Sequence, residues 1–138
     1  MKKVIIVQSN PAWITILKDA INGQLPELDT DVIYTTSFDH AVDLATKEKE
    51  EILVICSDMY HDRDSEHYGH VTEKLPDNEK DCLSLAKFIK GINKKSQVYV
   101  FSDFSPNTFS NLDGYISKNA PTEVSIAKVV HTIKRKIY

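Results

Sequence analysis

Apolar residues in this chain fall into five short runs separated by longer stretches with helical spacing. The runs are VIIV (4–7), VIYTT (32–36), ILVIC (52–56), VYVF (98–101) and GYIS (114–117), each with β-branched or aromatic residues. The first and third are apolar throughout, the pattern of strands covered on both faces. After the first run, Asn10 can cap a helix and Pro11 suits its first position. Ile14, Leu17 and Ile21 then share one face, and Gly23 predicts a stop. Ser37 predicts the cap of a second helix with Ala41, Leu44 and Ala45 inward. Leu85, Phe88, Ile89 and Ile92 follow i, i+3, i+4, i+7 spacing before the fourth run. Thr122 predicts the cap of a last helix with Ile126, Val129, Val130, Ile133 and Ile137 inward. Strands alternating with helices imply right-handed βαβ units, a parallel sheet and an α/β doubly wound, three-layer sandwich.

Two intervals break the alternation. Residues 60–80, YHDRDSEHYGHVTEKLPDNEK, are polar and nearly free of aliphatics, and read as an extended loop. Residues 102–113, SDFSPNTFSNLD, are too few for a full helix with two connections. No internal repeat or linker divides the chain, so 1–138 reads as one domain.

Composition changes this picture little. The 41% apolar and 27% charged content is that of a water-soluble globule, and a net charge of -3 gives no attraction to nucleic acid or anionic lipid. No apolar run approaches the ~20 residues of a membrane span, and the start MKKVIIVQSN is too short in apolar residues for a signal peptide. Cys56 and Cys82 have no metal or redox spacing, and Cys56 reads as a small buried hydrophobe. A cytoplasmic protein with reduced thiols is expected.

The chemistry is best sought where the strands end, because ligands of open parallel sheets bind beyond the carboxyl edge. The four isolated glycines exclude dinucleotide and P-loop phosphate motifs, and there is no G-x-S-x-G elbow. What remains is a polar rim: Gln8 and Ser9 after the first strand, Asp58 after the third, Ser102 after the fourth and Lys118 after the fifth. A carboxylate nucleophile, a hydroxyl and an ammonium converging there would suit phosphoryl acceptance.

At these residues, and in the order of elements over nearly the whole chain, the sequence resembles the receiver domains of bacterial two-component response regulators. The resemblance implies a flavodoxin-like sheet of order 2-1-3-4-5, to which the two irregular intervals add a long loop after strand 3 and a shortened or missing helix 4. It places Asp58 at the phosphoacceptor position, Ser102 and Lys118 at the phosphoryl-site positions, and Tyr115 at the aromatic switch position. It also implies a non-enzymatic signalling role with a protein partner, a histidine kinase or an output protein. With no output domain in the sequence, the effect is expected to pass through that separate partner.

Three departures qualify the resemblance. Gln8 and Ser9 stand where the family has the acidic pair that holds Mg²⁺. A hard cation wants carboxylates, so an amide and a hydroxyl are poor ligands, and no cofactor is expected. A direct Asp58–Lys118 contact is expected instead. Asp103 follows Ser102 where the family keeps a small residue; it can gate the mouth, replace a lost metal ligand, or simply cap a loop. The interval after the fourth strand is shortened. The expected function is thus a degenerate, pseudo-receiver domain acting through protein contacts without Mg²⁺-dependent phosphorylation. One alternative is a working phosphoacceptor, phosphorylated on Asp58 with Mg²⁺. Another is a metal-binding module using His61, His67 and His70, although their spacing fits no tight motif.

Overall fold

The structure, a computed structural model, describes residues 3–8, 10–28, 31–57, 82–103 and 111–137. Five parallel strands form one sheet: β1 (Lys3–Val7), β2 (Val32–Thr35), β3 (Ile52–Cys56), β4 (Gln97–Ser102) and β5 (Gly114–Ser117). Their order in the sheet is β2-β1-β3-β4-β5, as expected from the sequence. The register brings the ends of β1, β2 and β3 level, and β4 and β5 run two residues farther. Val7 pairs with Thr35 on one side and Cys56 on the other, and Ser102 pairs with Ser117.

Among the described residues four helices cover the sheet: α1 (Pro11–Gln24), α2 (Phe38–Glu48), α3 (Cys82–Ile92) and α4 (Thr122–Ile137). Side chains alternate along each strand, so each face has its own core. On one face Ile5, Val7, Val54, Cys56, Val98 and Val100 meet Ala41, Val42 and Ala45 of α2 and Leu85, Ala86 and Ile89 of α3. On the other, Val4, Ile6, Leu53, Ile55, Phe101 and Ile116 meet Leu17 and Ile21 of α1 and Val129, Val130 and Ile133 of α4. Each fully buried aliphatic side chain contributes about 1.5–3 kcal/mol, so neither helical layer is dispensable. Among the described residues no helix is long and apolar enough to cross a membrane.

Two helix signals act as the sequence predicts. Asn10 caps α1 by accepting from the Ala12 N–H at 3.0 Å, and Ser37 caps α2 by accepting from the His40 N–H at 3.3 Å. Two do not. α1 runs past Gly23, because burying Leu25 and Leu28 carries the chain on through a 3-10 turn at Pro26–Leu28. Thr122 is not the cap of α4 but its first helical residue; the Pro121 carbonyl accepts from the Val124 and Ser125 N–H groups. Ser125 is buried there, and its hydroxyl donates to the Ser117 carbonyl at 2.9 Å, tying α4 to the end of β5.

Side chains also fix strand starts. The Ser96 hydroxyl, 1% exposed, accepts from the Ile52 N–H at 2.9 Å. Asp113 clasps β4 twice: its N–H donates to the Val98 carbonyl, and its Oδ2 accepts from the Val98 N–H, each at 2.8 Å. Lys90 of α3 holds the same carboxylate at 2.8 Å. Gly114 follows because Tyr99 lies against it; a Cβ there would sit 2.5 Å from the Tyr99 ring.

The predicted long loop at 60–80 lies outside the described residues, as does 104–110 of the interval where a shortened or missing helix 4 is expected.

Candidate functional site at the carboxyl edge of the sheet

The parallel strands bring the described rim residues to one edge of the sheet. Gln8 follows β1, and its N–H donates to the Thr35 carbonyl at 3.0 Å. Beside it, the Ser57 N–H after β3 donates to the Val7 carbonyl at 2.7 Å, extending the ladder to the last described residue before position 58. Ser102 closes β4 at 1% exposure, and the Lys118 N–H donates to the Ser102 carbonyl at 2.8 Å. The Tyr115 hydroxyl donates to that same carbonyl at 3.1 Å. Positions 102, 115 and 118 are therefore joined through one backbone oxygen.

Lys118 has surroundings that the sequence did not reveal. Its ammonium lies over the Trp13 ring at 5.3 Å and the Phe101 ring at 5.0 Å from their centroids. Those two rings meet edge to face, with centroids 5.1 Å apart. A cation over two aromatic faces is held at about 0.5–2 kcal/mol per contact, according to its exposure. The first turn of α1 thus shapes the surroundings of Lys118.

Gln8 is the anomalous residue. It is 0% exposed, and among the described residues neither its amide nitrogen nor its amide oxygen has a hydrogen-bond partner. Buried polar groups are nearly always paired, because an unpaired one loses its hydration for nothing. Asp39, in the first turn of α2, is the single buried carboxylate among the described residues, and periodicity gave no signal for it. Its position suits an acid, since the helix N-terminus is electropositive.

The donor set bears on a divalent cation. Mg²⁺ favours carboxylate oxygens in octahedral geometry. The described rim offers instead a neutral amide, a hydroxyl and an ammonium, with Asp103 exposed on its border. These residues do not fit the ion. Among the described residues no group of three or more His, Cys, Asp or Glu side chains could hold a metal. Asp103 engages its neighbour through its backbone, its carbonyl accepting from the Asn119 side-chain amide. Ser9, Asp58, His61, His67 and His70 lie outside the described residues, and so does the expected Asp58–Lys118 contact.

No protein-family model and no curated protein sequence matches the chain. Solved structures do. An orphan response regulator of H. pylori superposes with a TM-score of 0.65 at 19% identity, over 99% of this chain and 96% of that one. The receiver domain of the hybrid histidine kinase CckA gives 0.63 at 12% identity, over 99% of both chains. A CheY-like receiver domain protein from Methanospirillum hungatei gives 0.65 at 16%, over 99% of this chain and 94% of that one. The fold is that of a response-regulator receiver. At these identities the likeness fixes the receiver fold alone. In that receiver fold the rim of Gln8, Ser102, Tyr115 and Lys118 lies at the carboxyl edge, where open parallel sheets place their ligands.

Proposed function

We propose that the chain is a receiver-type signalling domain that acts by binding a protein partner and turns over no substrate. In this reading Asp58 holds the phosphoacceptor position, Ser102 and Lys118 the phosphoryl-site positions and Tyr115 the switch position, without Mg²⁺-dependent phosphorylation. The observation that carries the reading is Gln8: a buried, neutral amide, without a hydrogen-bond partner among the described residues, stands where the resemblance calls for a metal-binding carboxylate. Phosphoryl transfer depends on positive charge at the transferring group, and losing one such electrostatic partner costs ~10²–10³ in rate. The partner is a histidine kinase or an output protein by family resemblance, and the compartment the cytoplasm. The open groove between β5 and α4, lined by Tyr115, Val124, Lys128 and Arg135 among others, offers such a partner a surface of mixed character.

The rival reading, a working phosphoacceptor, draws support from the Ser102–Lys118–Tyr115 arrangement. One experiment separates the two. The full chain is incubated with a small acyl phosphate and Mg²⁺, and intact mass is followed. No phosphoryl group is expected on Asp58. The Gln8→Asp/Ser9→Asp variant, with Asp103→Ala added to clear the mouth, is expected to gain a Mg²⁺-dependent change in Trp13 fluorescence. Phosphorylation of the native chain at Asp58 would replace the proposal with its rival.

A further inference from the structure

Cys56 and Cys82 are 26 positions apart, yet the fold puts their sulfurs in contact at 2.7 Å. Cys56 ends β3, two residues before Asp58, and Cys82 begins α3. Both are buried, at 0% and 4% exposure, in the core layer between the sheet and α2 and α3. The Cys56 thiol donates to Cys82 Sγ, and the Cys82 thiol donates to the Ser57 carbonyl. Only about 0.7 Å separates their spacing from a disulfide bond of about 2.05 Å.

We infer that Cys56 and Cys82 are a modification site: a dithiol that closes reversibly to an intramolecular disulfide. The bond would shut a covalent ring from the end of β3 to the start of α3, and that ring carries Asp58. The co-reactant is a peroxide, small enough to reach a buried thiol. The Cys82 thiolate, the less buried of the two, attacks the peroxide O–O bond and becomes a sulfenic acid. The departing hydroxide takes up the thiol proton and leaves as water. Cys56 Sγ then attacks the Cys82 sulfur, forming the S–S bond and expelling hydroxide, which takes the Cys56 proton and leaves as a second water. Two thiols are oxidised, and one peroxide is reduced to two waters. The site stands whether or not Asp58 accepts a phosphoryl group.

The test is an equilibrium, so burial cannot hide the answer. The full chain is brought to equilibrium in graded mixtures of reduced and oxidised dithiothreitol, once folded and once in urea. The folded arm is approached both from the reduced chain and from chain oxidised in urea and refolded. Thiols are trapped by alkylation and counted by mass. A fold that already holds the sulfurs together should favour the disulfide about 10²-fold more than the unfolded chain does. The Cys56→Ala and Cys82→Ala variants should form no intramolecular bond, and Cys56→Ala treated with peroxide should leave a trappable sulfenic acid on Cys82. Three results would overturn the inference: an equal or weaker preference in the folded chain, an oxidised chain that cannot regain the native circular dichroism, or disulfides formed only between molecules.

Discussion

Replacing Gln8 with methionine should stabilise the protein, against the usual outcome of a core substitution. Most buried replacements cost 0.5–3 kcal/mol. Gln8, however, is fully buried, and both its amide atoms are unpaired among the described residues. An unpaired buried polar group carries a desolvation penalty of about 1–3 kcal/mol. Methionine keeps the length and the unbranched stem, so it should fill the same space without a large cavity. The expected gain is therefore about 1–2 kcal/mol. For a domain this size that moves the urea midpoint up by about 1 M at unchanged slope. Gln8→Glu supplies the opposite sign in nearly the same shape. Burial raises the folded-state pKa of that carboxyl above its unfolded value. Its stability should then be greatest at low pH, below the unfolded value of about 4.3, and fall as pH rises through the folded pKa. A Gln8→Met midpoint at or below that of the native chain would refute the reasoning, because it would show that the amide makes bonds worth keeping.

Three further outcomes are expected. Ser96→Ala should cost about 1–2 kcal/mol in chemical denaturation, since it removes the acceptor of the Ile52 N–H inside the core; an unchanged midpoint would show that another acceptor takes over. Gly114→Ala should cost about 1–3 kcal/mol by driving a methyl into the Tyr99 ring, and pairing it with Tyr99→Leu should recover part of the loss. Lys118→Met should shift the Trp13 emission and lower stability more than Lys136→Met does, because Lys118 lies over two rings and Lys136 lies in the last turn of α4; equal midpoints would count against a structural role for Lys118.

Much of the scaffold was legible because it depends on local pattern. VIIV and ILVIC are apolar at every position, and only strands buried on both faces tolerate that, so the parallel sheet could be read directly. Asn10 and Ser37 cap their helices because capping needs only neighbours two or three residues away. Gly23 misled because a glycine stop is a weak preference, outweighed here by two leucines that had to be buried. Thr122 misled because Pro121 occupied the cap position one residue earlier. The features that give the rim its character were invisible for another reason. Trp13 meets Phe101 and Lys118, and Cys56 meets Cys82, across long stretches of chain. No spacing rule reports contacts that exist only once the sheet is assembled.

Asp113 has a consequence at the far end of its strand. β5 is an edge strand of four residues, a short ladder against a single neighbour. One residue of slip would move it by about 3.3 Å and turn each side chain to the opposite face. Asp113 acts as a vernier stop: two bonds to Val98 and an anchor on Lys90 allow one setting. Lys118 stands five residues downstream, just past the strand, so its depth over Trp13 and Phe101 is dictated from the opposite edge of the sheet. A substitution as remote as Asp113→Asn would therefore be read out at the Lys118 ammonium, one strand-length away.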